Sequence, residues 1–168
     1  LVPIWDPDDA EQLTWRFKVV GDVVDFYDTP GAQLDAPQAW VEAVVATARD
    51  LRCLRYGRDV DPDRLMWELS IGRTYAVTIG WHGTAGISGF GLCQGLSMNT
   101  SFAEAAVWVA DTAQGELTGY DFVQWPSRGG HLLLPRQVDD AAVWIDPHED
   151  RVVSLIGDLC CHVSSWAG

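Results

Sequence analysis

The sequence predicts an α+β domain: an antiparallel sheet made of an N-terminal hairpin, a central strand or strands and a C-terminal meander, with two main helices packed on one face. Three observations carry this. β-Branched and aromatic runs lie near both ends of the chain, two stretches of helically spaced apolar residues lie between them, and turn residues punctuate the last third densely. At 168 residues and 48% hydrophobic content the chain has the length of one ordinary domain, 1–168, and enough apolar mass for a single core.

Leu13 to Val20 (LTWRFKVV) and Val23 to Tyr27 (VVDFY) read as strands joined by a tight Gly21-Asp22 turn. After the break at Thr29-Pro30-Gly31, Asp35 stands as a helix cap before Pro37. Trp40, Val41, Val44, Val45, Ala48 and Leu51 then recur at helical spacing. Asp61 to Ile71 (DPDRLMWELSI) is open between a short helix and a strand in its second half, whereas Arg73 to Trp81 alternates as a core strand does. Gly80 to Gly95 holds six glycines, too many for a regular helix. Ser101 and Glu104 form a capping box before Ala105 to Ala110, which predicts a second helix fading near Gly115 or Gly119. His131 to Leu134, Ala141 to Ile145 and Arg151 to Ile156, separated by Gly-Gly, Asp-Asp and Asp-Pro, predict the meander.

A formal net charge of −13, with one lysine (Lys18) against ten arginines, argues against nucleic acid as a partner, because phosphate binding needs a cationic surface. The same charge would draw in a basic protein and speed its association. No apolar stretch approaches the roughly 20 residues that span a bilayer, so no membrane partner is expected. Asp6, Asp8 and Asp9 stand where an export signal would carry cations. Four cysteines (Cys53, Cys93, Cys160 and Cys161) lack paired spacing and two of them are adjacent, which predicts free thiols and a cytoplasmic protein.

The candidate chemistry is sparse. Asp59, Asp61 and Asp63 alternate like the opening of a calcium loop, but Arg64 stands where the turn needs glycine and Ser70 where a closing glutamate belongs. A solvated acidic loop is the simpler reading. The glycines around Phe90 lie too far before the next helix for a phosphate-binding turn, although a ligand cleft, if present, is expected there with Trp81 and His82. Cys93 with His82 could make a thiol/imidazole pair, and Cys160, Cys161 and His162 are contiguous, yet neither set has the spacing of a nucleophile elbow or a zinc site. No catalytic residue, metal or cofactor is therefore assigned.

Of the nine tryptophans, Trp15, Trp40, Trp108 and Trp144 lie inside apolar elements. Trp5, Trp125 and Trp166 lie near termini or turn signals, where interface anchoring competes with burial. The run from Gln124 to Leu159, with its Trp-Pro turn, Ala-x-Trp strand and Ile-Gly-x-Leu ending, resembles the C-terminal segment of small actinobacterial proteins. In those proteins cysteines near the Trp-Pro and before the second proline suggest a metal knuckle; here Ser127 and Asp146 occupy the corresponding regions. In its acidity, size and tryptophan content the chain resembles immunity proteins of bacterial polymorphic toxin systems.

That resemblance implies an inhibitor that occludes a toxin of nuclease or NAD-degrading type. Its expected partner-binding residues are Asp59, Asp61, Asp63, Trp81, His82, Phe90, Trp125, Asp146, Glu149 and Asp150, and its partner is a basic cognate toxin. The alternatives are a small thiol/imidazole enzyme and a small-molecule-binding regulatory domain.

Overall fold

A computed structural model describes residues 12–30, 35–82, 88–91 and 95–166. The N-terminal hairpin forms as predicted: β1 (Leu13–Val20) and β2 (Val23–Asp28) pair antiparallel around Gly21, which takes the left-handed φ of +64° that this tight turn requires. β4 (Trp67–Ile71) joins the other side of β1, followed by β5 (Val77–Trp81) and the two-residue β6 (Phe90–Gly91). The five-stranded sheet has the order β2-β1-β4-β5-β6.

Strand alternation sorts its residues. Phe17, Trp67 and Trp81 stand in one inward row and Trp15, Leu69 and Ile79 in the next, whereas Arg16 and Glu68 face outward. The ambiguous segment proves to be both things in turn. Asp61 caps a 3-10 turn at Pro62–Arg64, accepting the Asp63 N–H at 3.1 Å, and the second half becomes β4.

α1 spans Gln38–Asp50 and α2 spans Phe102–Gly119. The Ser101 hydroxyl caps α2 by accepting the Glu104 N–H at 3.3 Å, as the capping box predicts. The expected cap at Asp35 is not used. Pro37 sits at the N-cap with an extended ψ of 116°, and its carbonyl receives the N–H groups of Trp40 and Val41. A residue preceding proline is steered away from helical geometry, so the chain cannot turn helical earlier. The two helices pack against each other, and small residues are prominent among those they bury, Ala43, Ala46 and Ala48 on α1 and Ala105, Ala106, Ala110 and Ala113 on α2.

The meander is β10 (Leu134–Val138), β11 (Ala141–Asp146) and β12 (Arg151–Leu155), and it forms a three-stranded sheet of its own, with β10 and β11 against α2; its first strand begins where the predicted His131–Leu134 strand ends, because His131 and Leu132 pair instead with Arg128 and Ser127. A single buried cluster runs from the inward rows of the large sheet through both helices to Ala142 and Trp144 of β11. Two short ladders complete the fold: β3 (Tyr56–Gly57) with β7 (Val123–Gln124), and β8 (Ser127–Arg128) with β9 (His131–Leu132). The last described element is the 3-10 segment Leu159–Trp166. No helix among the described residues is long and apolar enough to cross a membrane.

One expectation is overturned. Cys53, just beyond α1, and Cys160, in the terminal 3-10 segment, form a disulfide with Cα atoms 5.7 Å apart. Their separation of 107 positions along the chain hides this pairing from any argument based on spacing, because only folding brings the two segments together. Cys161 remains free and exposed, and Cys93 lies outside the described residues.

Candidate protein-recognition surface

The disulfide is one part of a clamp centred on Asp50, the last residue of α1. Its carboxylate is 0% exposed and accepts three hydrogen bonds: from the Trp144 indole at 2.7 Å and from the backbone N–H groups of Gly157 at 2.7 Å and Leu159 at 3.0 Å. Its own carbonyl accepts the Trp125 indole N–H at 2.9 Å. Burial pushes this carboxyl up to about 6, and the three donated bonds only partly oppose the shift. From α2, the buried Gln114 amide donates to the carbonyls of Trp125 and Leu133. One carboxylate, one amide and one disulfide thus tie α1, α2, the meander and the C-terminal segment to the loop carrying Trp125.

The stretch leading into that loop alternates strictly. Asp121, Val123 and Trp125 are buried, while Tyr120, Phe122 and Gln124 are exposed. Asp121 holds its place by accepting the Ser88 N–H at 2.8 Å. Across the ladder, Tyr56 pairs with Gln124 and Gly57 with Val123. Gly57 has a φ of +112°, and a Cβ there would lie 2.4 Å from the Phe122 carbonyl oxygen, so only glycine allows this approach. Phe122 itself adopts a φ of +56°, a conformation bulky residues keep only when their surroundings enforce it. The outcome is a fixed backbone that presents three aromatic rings to solvent, Phe122 at 77%, Tyr120 at 71% and Tyr56 at 58% exposure.

Acidic groups flank these rings. Glu116 lies one helical turn before Tyr120, whose N–H its carbonyl accepts at 3.1 Å. Burial first, and then the charge of Asp121, raises the Glu116 carboxyl above its ordinary range. Asp59 and Asp61 follow Tyr56 on the predicted acidic loop. Both are exposed, and their charge falls on the partly desolvated Arg55, whose guanidinium donates to the Val60 carbonyl. Asp63 is paired with Arg52 at 2.7 Å.

The other expected contact residues are dispersed. Trp81 and Trp125 belong to the core and not to the surface, since each indole N–H finds a carbonyl, that of Ser88 at 2.9 Å for Trp81, and each ring meets aromatic neighbours edge-on. Phe90 is half-buried against Trp81. His82 is exposed and shares the Glu68 carboxylate with Arg16. Asp146 is buried, and its oxygen closes a turn by accepting the N–H groups of His148 and Glu149. Burial works to raise its pKa, but those two bonds and the nearby Arg128 and His148 together hold it below the ordinary carboxylate range. Glu149, paired with Arg151, and Asp150 are exposed on the same β11–β12 turn. Trp5 and the Trp166 side chain lie outside the described residues.

Two hollows accompany this surface. One, polar, is lined by Arg128, His131, Asp146, His148 and Glu149, with the two imidazole rings edge-on at 3.9 Å. The other is a half-open apolar cleft of about 380 Å³ at the end of the large sheet, lined by Leu13, Trp15, Ile71, Tyr75 and Met98, with Asp35 and Arg73 at its margin. Among the described residues no group of three or more His, Cys, Asp or Glu side chains is placed to hold a metal ion.

Sequence reasoning overlooked Asp50, Tyr56, Tyr120 and Phe122. The alternation of Tyr120 to Trp125 was the available signal, obscured because the stretch begins at a helix end. In comparisons with family models, with curated proteins and with solved structures, nothing matches this chain.

Proposed function

We propose that this protein is a protein-binding inhibitor, an immunity factor that neutralises a basic bacterial toxin of nuclease or NAD-degrading type by covering its active site. The observation that supports this reading is the display of Tyr56, Tyr120 and Phe122 on an immobilised backbone beside Glu116 and the Asp59–Asp61 loop, in a chain of net charge −13. Exposed aromatic side chains on a rigid support are what interfaces use as anchors, and acidity accelerates capture of a basic partner. The Cys53–Cys160 bridge suits an oxidising compartment, so the cytoplasmic expectation, which rested on free thiols, loses its premise.

Co-expression with the product of the neighbouring gene tests the reading. The two proteins co-purify at one to one and growth is restored; a toxin that kills equally well with this chain present removes it.

A second reading, small-molecule binding, is favoured by the apolar cleft beside Arg73 and Asp35. Binding of an apolar carboxylic acid that Met98→Trp abolishes would support it.

A further inference from the structure

We infer that the bridge from Cys53 has two positions on the C-terminal segment, Cys160 while the Asp50 clamp is closed and Cys161 once it opens, so that exchange between adjacent cysteines acts as a conformational switch. Such a switch belongs to the fold itself and is independent of the recognition reading above.

Cys160 and Cys161 are chemically alike, yet only one of them is bonded. Cys160 is half-buried in the bridge, whereas the Cys161 thiol is free and exposed. Adjacent Cα atoms stand about 3.8 Å apart, which puts the Cα of Cys161 within about 9.5 Å of that of Cys53. A disulfide closes below about 7 Å, so a shift of the segment by about 3 Å brings Cys161 into bonding range.

What opposes that shift lies upstream. The Asp50 carboxylate accepts the N–H groups of Gly157 at 2.7 Å and Leu159 at 3.0 Å, and the Leu159 side chain is fully buried. Gly157 lies so close to α1 that a Cβ there would stand 3.1 Å from the Cβ of Ala46. With Leu159 held by both backbone and side chain, the next residue, Cys160, meets Cys53, and Cys161 turns to solvent. Drawing Cys161 up to Cys53 pulls Leu159 outward and breaks its bond to Asp50. Bridge position and clamp state are therefore coupled.

The exchange needs no oxidant or reductant. The Cys161 thiolate attacks Cys53 Sγ, the Cys53–Cys160 bond breaks with its electron pair leaving on Cys160 Sγ, and Cys160 takes up the proton that Cys161 gave up. One disulfide and one thiol stand on each side of the step. The product differs in shape: the segment is let out by one residue, and the Asp50 carboxylate is short of a donor.

The test uses the full chain, held at about pH 8 with a trace of small thiol so that thiolates form and exchange reaches equilibrium. Acid quenching and a maleimide label then mark the free thiol, and fragment-ion mass spectrometry places the label on Cys160 or Cys161. The wild type carries it on Cys161. In Asp50→Ala the share on Cys160 rises at least about tenfold, the ratio that about 1.4 kcal/mol of lost clamp energy produces. Asp50→Asn, which keeps the side chain's size and one acceptor oxygen, gives a smaller rise in the same direction and decides the matter if the alanine variant does not fold. Cys160→Ser, oxidised with a small disulfide, forms the Cys53–Cys161 bridge and melts below the wild type. Label shared between the two cysteines in the wild type, label confined to Cys161 in the Asp50 variants, or Cys53 and Cys161 left as free thiols in Cys160→Ser each overturns the inference.

Discussion

The clamp around Asp50, inside, and the exposed rings of Tyr56, Tyr120 and Phe122, outside, meet in the segment between α2 and Trp125, and they differ in one respect. Inside, polar groups are answered: one carboxylate receives three donors, the Trp125 indole finds a carbonyl, and Asp121 finds the Ser88 N–H. Outside, three rings are left to solvent. The inner side fixes shape and therefore carries stability; the outer side makes almost no contribution to folding and is free to serve recognition. Changes on the two sides should accordingly separate folding from binding.

The largest expected effect is at the centre of the clamp. Asp50→Ala strands the Trp144 indole and the N–H groups of Gly157 and Leu159 in the core, a loss of about 5 kcal/mol. Denaturant titration reads it, and a loss under about 1 kcal/mol would mean that the carboxylate does not hold the clamp together. Breaking the Cys53–Cys160 bond, by Cys53→Ser with Cys160→Ser or by reductant, costs about 4 kcal/mol through the freedom restored to a loop of this length. Mass spectrometry of the purified protein checks the bond itself: alkylation of Cys53 without prior reduction would contradict it.

The pH dependence of the clamp follows from its sign. Folded Asp50 titrates at about 6 against an ordinary 3.8, so folding takes up a proton between those values. The stability it lends is fully present below about pH 4 and declines through pH 6, by about 3 kcal/mol in all. The measurement is the difference in unfolding free energy between the wild type and Asp50→Asn across that window, and a flat difference would remove the raised carboxyl from the account.

At the junction of the two sides, Gly57→Ala drives a methyl group into the Phe122 carbonyl and forces a β-carbon onto a φ of +112°. Its cost is about 2 kcal/mol, read by denaturant titration. The smallest effect on folding belongs to the outer side. Phe122→Ala changes stability by less than about 0.5 kcal/mol, and an appreciable drop in melting temperature would show that the ring supports the fold after all.

Much of this architecture was legible in the chain. The hairpin, both helices, the Ser101 cap and the meander followed from periodicity and turn residues, because those signals act between near neighbours. The candidate surface was less legible: tryptophan content singled out Trp81 and Trp125 as exposed anchors, and the structure buries both. Each indole N–H donates to a carbonyl, that of Ser88 seven residues on for Trp81 and that of Asp50 75 residues back for Trp125, whereas Phe122, Tyr120 and Tyr56, at a helix end and a two-residue strand, are among the rings left exposed.

By itself the sequence determined which segments are strands and helices, which face of each is apolar, and how negative the whole surface is, since these depend on local spacing and on composition. Only the tertiary structure decided that Cys53 meets Cys160, that Asp50 is enclosed by residues 94 to 109 positions away, and that Gly57 stands against the Phe122 carbonyl. Those contacts arise where separate elements pack, and packing selects partners by shape and by unsatisfied hydrogen bonds whose distance along the chain leaves no trace in local pattern.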